Sequence, residues 1–185
     1  MVNAAIVGMG RWGQTLVNSV AGSSDIITFV AGNTRTPSKV VDYAAEKGIK
    51  LHSSYEDVLA DDNVDALVLA SPHSVHFDQI MAAADAGKHV FCEKPPALNA
   101  AEVLQMKEAS ESAGKTLMFN FNNRARPESY ALREYIEAGE VGQINSAQAK
   151  WIRRTGIPGF GGWFTNKELS GGGPLIDLLH MVDLA

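Results

Sequence analysis

A glycine-rich turn directly after a short apolar run constrains the fold of this chain more than any other feature. Residues Ala4 to Val7 predict a buried strand, and Trp12 to Ala21 predict a helix. The turn between them contains Gly8, Met9, Gly10, Arg11, Trp12 and Gly13. In this setting the glycines permit a tight turn, a close approach of backbone amides to a pyrophosphate, and close packing of helix on sheet. The spacing predicts a dinucleotide-binding turn, and a glycine-rich turn without a ligand is the alternative.

Strand and helix patterns alternate along the first two thirds of the chain. The further predicted strands are Ile26 to Ala31, Ala66 to Leu69, His89 to Cys92 and Thr116 to Asn120. The further predicted helices are Pro37 to Lys47, Val75 to Ala86 and Ala100 to Ala113, the last with Asn99 as N-cap and Gly114 after its final turn. This order predicts an α/β fold, a doubly wound parallel Rossmann sheet followed by the beginning of a second α+β domain.

The pattern changes after Asn120. A helix is predicted from Pro127 to Ala138, a strand of a different sheet from Gln143 to Ile152, and a helix from Leu175 onwards. We therefore assign residues 1–122 to a nucleotide-binding domain and residues 123–185 to the start of a second domain. We expect this second domain to be incomplete, because a domain rarely stops inside a helix with one strand of a new sheet just begun.

The composition points to a small-molecule partner. The chain has 185 residues, and its 45% hydrophobic residues are typical of a globular protein. Its formal net charge of -5 argues against a basic surface that would bind nucleic acid or an anionic membrane. Its single cysteine, Cys92, excludes an internal disulfide and a cysteine-based zinc site, and no metal is expected. No apolar run is long enough to span a bilayer, so we expect a cytoplasmic location.

The residues after the second predicted strand bear on the choice of cofactor. A Rossmann domain that binds NAD usually offers a carboxylate to the adenosine ribose at this point. This chain has Asn33, Thr34, Arg35 and Thr36 there. A hydroxyl and a guanidinium suit a 2'-phosphate, so Thr34 and Arg35 favour NADP, with NAD as the alternative. A solvated turn residue is the plainer interpretation of Arg35.

Further motifs follow the glycine-rich turn along the whole chain. Glu93 and Lys94 stand just past the carboxyl end of a predicted strand, where open parallel sheets bind ligands. The motifs are Ser71-Pro72-His73, Ala86-Gly87-Lys88-His89-Val90, Glu93-Lys94-Pro95, Phe119-Asn120-Phe121-Asn122, Gly156-Ile157-Pro158 and the run from Gly171 to Asp177. Together with the glycine-rich turn, they resemble those of the glucose-fructose oxidoreductase, inositol dehydrogenase and rhizopine catabolism (Gfo/Idh/MocA) family.

The resemblance implies a function and a set of site residues. It implies an NAD(P)-dependent dehydrogenase acting on a sugar, inositol or related polyol or carbonyl compound, with a second domain that shapes the substrate pocket and commonly mediates homo-oligomerisation. It places Lys94 as the catalytic or substrate-orienting lysine. It places near the cofactor Gly8, Met9, Gly10, Arg11, Trp12, Gly13, Thr34, Arg35, Ser71, Pro72, His73, His76, Glu93, Lys94 and Asn122.

The last motif contains a second candidate for acid–base chemistry. Asp177 and His180 are three residues apart and would share a helix face, so the carboxylate could orient the imidazole beside a substrate hydroxyl. The family usually has an aspartate and a histidine four apart with a glycine between them, and this glycine is absent here. The altered spacing keeps a second hypothesis open, namely a catalytically incompetent dinucleotide-binding fragment of such an enzyme.

Overall fold

The computed structural model describes residues 1–152, 166–172 and 179–184. The chain divides into two compact units, Met1–Phe119 and Asn120–Ala185. The predicted boundary after residue 122 lies three residues beyond the first unit. None of the helices in the described part of the chain combines the length and the apolar character that a membrane span requires.

The first unit is built around one sheet. Its strands are β1 (Val2–Val7), β2 (Ile27–Asn33), β3 (Lys50–Leu51), β4 (Ala66–Leu69), β5 (His89–Glu93) and β6 (Leu117–Asn120). They lie side by side in the order β3-β2-β1-β4-β5-β6, which is the Rossmann order, and the pairs from β3 to β5 are parallel. The predicted α/β Rossmann fold is confirmed.

Helices cover the two faces of this sheet. They are α1 (Arg11–Val20), α2 (Val41–Lys47), α3 (Tyr55–Leu59), α4 (His76–Asp85) and α5 (Ala100–Ser112), with short 3-10 turns at Pro37–Lys39 and His73–Val75. Alternate residues of β1 enter opposite cores, because successive side chains of a strand point to opposite faces. Ile6 packs with α1 and α2, whereas Val7 packs with α3, α4 and α5.

Local sequence signals account for the ends of α5. The side chain of Asn99 accepts a hydrogen bond from the backbone N–H of Glu102 at 3.0 Å, and the Glu102 carboxylate accepts one from the side-chain amide of Asn99 at 2.8 Å. Gly114 follows the helix with φ of +64°, a left-handed conformation that suits glycine. Both predicted caps are therefore present.

The elements in the described part of the second unit are helical. They are a 3-10 turn at Asn122–Ala125, α6 (Pro127–Glu137), α7 (Lys167–Ser170) and α8 (Leu179–Leu184). The prediction of a strand from Gln143 to Ile152 is wrong, because these residues form neither helix nor strand. A strand needs a partner for its backbone groups, and the described residues of this unit supply none.

One prediction about stability follows from the glycine-rich turn. A β-carbon at Gly13 would lie 2.0 Å from the carbonyl oxygen of Gly8, so we expect Gly13→Ala to destabilise the fold by about 1–3 kcal/mol. Helix propensity alone predicts the opposite sign, a gain of about 0.8–1 kcal/mol, since Gly13 lies within α1. Urea unfolding followed by far-ultraviolet circular dichroism measures the difference.

Gly10→Ala is the matched control for this measurement. A β-carbon at Gly10 would meet nothing within 4 Å, and its φ of -70° suits any residue. Because Gly10 is the N-cap residue of α1, where alanine is less favourable than glycine, we expect the free energy of unfolding of this variant to fall by no more than about 1 kcal/mol. Equal stability of the two alanine variants would contradict the packing argument.

Candidate functional site

The loops after β1, β4 and β5 lie side by side, and we call them the carboxyl edge. Parallel pairing sets Val7 opposite Leu69, and Leu69 opposite Cys92. The three loops therefore begin at the same level of the sheet, with Gly8, Ala70 and the end of β5 as neighbours. This edge of a doubly wound sheet is where such folds bind ligands.

Two glycines determine the shape of the loop after β1. Gly8 has φ of +91°, and a β-carbon there would lie 2.6 Å from the carbonyl oxygen of Ala70. A side chain at this position would therefore force β1 and β4 apart at the edge. Gly13, in the first turn of α1, is in close contact with the backbone of Gly8. The loop can hold this compact form only with glycine at both positions.

The third glycine leaves open space at the start of α1. Gly10 is the N-cap residue, and a β-carbon added to it would meet nothing within 4 Å. Within the described part of the chain, no side chain caps the helix here, and the first turn carries no acid. Backbone amides at a helix start favour an anion. The loop thus fits the pyrophosphate of a dinucleotide on both steric and electrostatic grounds.

The side chains of this loop differ in what they could contact. Met9 is 1% exposed and packs in the core with Ile6 and Val17, so only its backbone could face a ligand. Trp12 is 45% exposed, and its indole N–H donates a hydrogen bond to the carboxylate of Glu93, the last residue of β5. This contact links the glycine-rich turn to the residue that precedes Lys94.

The end of β2 carries the residues that were predicted to select the cofactor. The backbone N–H of Gly8 donates to the carbonyl of Asn33 at 2.8 Å, so the end of β2 lies beside the glycine-rich turn. The side-chain amide of Asn33 donates to the carbonyl of His52 at 3.2 Å. Thr34 is half-buried and Arg35 is exposed. A guanidinium is therefore accessible to solvent two residues beyond the strand end.

Polar groups of α4 hold the loop after β4. The hydroxyl of Ser71 donates to the side-chain carbonyl of Gln79 at 2.5 Å. His73 is largely buried, and the centre of its ring lies 5.8 Å from that of His76. Pro72 is the N-cap residue of the 3-10 turn that carries His73. The loop is therefore tied to the helix that follows it.

His76 connects the loops after β4 and β5. It is 0% exposed, with Nδ1 2.9 Å from the carbonyl oxygen of Pro95 and Nε2 3.0 Å from that of Ser71. Burial lowers the pKa of this imidazole, while the two carbonyl oxygens and the charge of Glu93 oppose that effect. The prediction that His76 contacts the cofactor stays a prediction; in the structure its ring nitrogens face protein backbone.

Lys94 stands between two buried neighbours. Glu93 is 8% exposed and Pro95 is fully buried, whereas Lys94 itself is half-buried. The Lys94–Pro95 peptide bond is cis. The Trp12–Glu93 and His76–Pro95 contacts were not foreseen from the sequence, because they join residues 81 and 19 positions apart. A tryptophan inside the glycine-rich turn is the one signal that could have suggested the first of them.

The second unit places His180 among aromatic rings. His180 is 5% exposed, and the centre of its ring lies 6.2 Å from that of Phe121 and 6.1 Å from that of Trp151. Asn122, predicted as a cofactor contact, is exposed in the 3-10 turn after Phe121. Asp177, the predicted partner of His180, lies outside the described residues.

An ion pair that sequence reasoning missed holds the helix of His180. Arg124 Nε donates to the two carboxylate oxygens of Asp183 at 2.8 and 3.0 Å, and its NH2 group makes a third contact. The paired carboxylate raises the pKa of the Arg124 guanidinium. This pair joins α8 to the turn that carries Asn122.

Among the residues that the structure describes, no group of three metal-ligating side chains occurs.

Comparisons with known proteins match both parts of the chain. The profile described as "Oxidoreductase family, NAD-binding Rossmann fold" covers residues 2–121. The profile described as "GFO/IDH/MocA C-terminal domain" covers residues 130–185. The two profiles occur in the order that the sequence motifs predicted.

Individual relatives are dehydrogenases and NAD-binding proteins. The chain is 42% identical over 122 residues to D-glucoside 3-dehydrogenase of Escherichia coli, a match that covers 65% of this chain and 34% of that protein. It is 31% identical to myo-inositol 2-dehydrogenase of Thermotoga maritima, covering 75% of this chain and 41% of that protein. A crystal structure of an NAD-binding protein from Listeria innocua superposes with a TM-score of 0.80 at 30% identity, covering 99% of this chain and 53% of that one.

These matches span about half or less of the length of each relative. The first profile alone covers more than half of this chain. Together with the Rossmann strand order, the glycine-rich turn and the Glu93-Lys94-Pro95 loop, this places the chain in the Gfo/Idh/MocA family of NAD-binding oxidoreductases.

Proposed function

We propose that this chain binds NADP and takes part in reversible hydride transfer with a hydroxyl or carbonyl carbon of a sugar or cyclic polyol. The observation that carries the proposal is the common level at which β1, β4 and β5 end, which puts the glycine-rich turn and Lys94 on one edge. Two relatives are named as dehydrogenases of D-glucosides and of myo-inositol, and these names support the substrate class.

Different residues of the chain bind different parts of the dinucleotide in this proposal. The amides that start α1 hold the pyrophosphate, and Thr34 and Arg35 hold the adenosine end. Ser71, Pro72, His73 and Asn122 are the proposed contacts of the nicotinamide half. When bound, NADP supplies the redox chemistry of the reaction.

Lys94 is the proposed acid–base group. Its neutral amine takes the proton of the substrate hydroxyl as the alcohol is oxidised, and its ammonium returns this proton in the reverse direction. His180, oriented by Asp177, is the second candidate for the same role.

Homo-oligomerisation and a cytoplasmic location belong to the same proposal, and light scattering after size exclusion tests the first of them.

Lys94→Ala tests the acid–base role. We expect turnover to fall by about 10²–10⁴-fold, because proton transfer by a positioned group contributes that much, while the dissociation constant of the dinucleotide changes only a few fold. A dehydrogenase assay with inositols, aldoses and aldonolactones measures turnover, and equilibrium dialysis measures binding.

Lys115→Ala is the control for this assay, since Lys115 precedes β6 at the opposite edge of the sheet and should leave turnover unchanged. Retained turnover in Lys94→Ala would remove Lys94 from the catalytic role. Binding of the dinucleotide by the wild type without turnover of any substrate would favour the dinucleotide-binding module instead.

Arg35→Ala tests the choice of NADP. Loss of a charge-assisted contact with the 2'-phosphate should weaken NADP binding by about 10–100-fold and leave NAD binding within about twofold. Isothermal titration calorimetry measures both dissociation constants. Lys39→Ala, which removes an exposed cation from the following 3-10 turn, should change neither. Tighter binding of NAD than of NADP by the wild type would overturn the assignment.

Gly10→Ala tests the site of the pyrophosphate. The fold tolerates a methyl group at this position, but the group would occupy the space beside the first amides of α1. We expect binding of NADP and of NAD to weaken by about tenfold or more, since a bulkier residue keeps the phosphates from the backbone. Unchanged binding of both dinucleotides by a folded Gly10→Ala variant would place the pyrophosphate elsewhere.

A further inference from the structure

Two contacts hold the residues on either side of Lys94, one through a backbone carbonyl and one through a side chain. On one side, the buried imidazole of His76 lies 2.9 Å from the carbonyl oxygen of Pro95. On the other side, the buried carboxylate of Glu93 accepts a hydrogen bond from the indole of Trp12. Lys94 is thus the residue between two neighbours that are each tied to a different element.

The other ends of these contacts are themselves anchored. The second ring nitrogen of His76 lies 3.0 Å from the carbonyl oxygen of Ser71, whose hydroxyl is held by Gln79 of α4. A β-carbon at Gly8 would lie 2.9 Å from the backbone nitrogen of Ser71, so this residue also packs against the glycine-rich turn. The position of Ser71 is therefore set by its neighbours. His76, which lies against Ser71, in turn positions Pro95.

The chemistry of imidazole suits a connector of this kind. Its two nitrogens stand at fixed angles on a rigid ring, so one buried side chain can lie against two carbonyl groups that belong to different loops. The neutral ring carries one N–H, and we assign it to Nδ1, which faces the Pro95 carbonyl. A buried carbonyl oxygen without a donor is unfavourable, because the loss of its hydration is not compensated. A conformation of the Lys94 loop that leaves the imidazole is disfavoured for this reason.

We infer that His76 and Trp12 are positioning residues for Lys94, His76 through the Pro95 carbonyl and Trp12 through the Glu93 carboxylate. This inference rests on the proposed function for its effect on turnover, but not for its effect on the geometry of Lys94. His76 then acts through the backbone and does not touch the cofactor. Movement of the glycine-rich turn and of the Glu93-Lys94-Pro95 segment is then coupled.

A pair of amide variants separates the two contacts of His76. The side-chain nitrogen of asparagine stands where Nδ1 stands in histidine, and that of glutamine stands where Nε2 stands. His76→Asn therefore keeps a donor that faces Pro95 and has none that faces Ser71, whereas His76→Gln has a donor that faces Ser71 and none that faces Pro95. Trp12→Phe keeps an aromatic ring at a partly exposed position and removes the donor to Glu93.

Lysine methyl signals report the position of Lys94 without any cofactor. Reductive methylation with ¹³C-formaldehyde labels every lysine, and Lys94→Arg identifies the Lys94 signal in the two-dimensional spectrum. We expect this signal to move towards those of the exposed lysines in His76→Gln and in Trp12→Phe, and to stay in place in His76→Asn. His89→Gln, which loses a contact with Thr116 at the other end of β5, should leave it in place.

Kinetics provide the second measurement. We expect kcat to fall by about 10–100-fold in His76→Gln, with KM within about twofold, because displacement of an acid–base group affects the chemical step more than binding. His76→Asn should keep kcat within about threefold of the wild type. The folded state of each variant is checked by near-ultraviolet circular dichroism.

Two results would overturn the inference. One is a Lys94 signal that stays in place in both His76→Gln and Trp12→Phe. The other is an equal displacement in His76→Asn and His76→Gln. A failure of the proposed function has a different signature: the Lys94 signal moves as expected, but Lys94→Ala retains turnover.

Discussion

The close approach of backbone to backbone at Gly8 is the constraint on which the rest of the site depends. A β-carbon there would lie 2.6 Å from the Ala70 carbonyl oxygen, and one at Gly13 would lie 2.0 Å from the Gly8 carbonyl oxygen. These contacts allow β1, β4 and the start of α1 to meet without intervening side chains. The amides at the helix start are thereby left open beside Gly10, and the loops after β4 and β5 come within reach of the turn.

Buried polar groups then join these loops into one unit. The indole N–H of Trp12 donates to the carboxylate of Glu93. The ring nitrogens of His76 lie against the carbonyl oxygens of Ser71 and Pro95. Hydrogen bonds of this kind are strongly held in a low-dielectric interior, since breaking one leaves a buried group without its partner. An enzyme gains from such rigidity where a reacting group must stay within a fraction of an ångström of its working position. Lys94, the proposed acid–base group, is half-buried and lies between the two residues that these contacts hold.

Sequence patterns succeeded where local physics decides the outcome and failed where distant partners do. The strand Ala66–Leu69 and the caps of α5 follow from apolar runs and capping side chains, and both were predicted correctly. The helix predicted from Pro37 to Lys47 is interrupted at Val40, whose φ is -132° and whose side chain is buried beside Ala44. The strand predicted from Gln143 to Ile152 is not formed, because alternation alone cannot supply the neighbouring strand.

By itself, the sequence determined the fold class, the position of the glycine-rich turn and membership of the family, because glycine spacing and the order of motifs are properties of the linear chain. It also determined which residues stand at the ends of β4 and β5, since Ser71, Glu93 and Lys94 follow apolar runs directly. Only the tertiary structure decided that Met9 turns into the core, that Trp12 meets Glu93, and that His76 bridges two backbone loops. These contacts depend on strand order and register, which bring residues far apart in sequence to one edge.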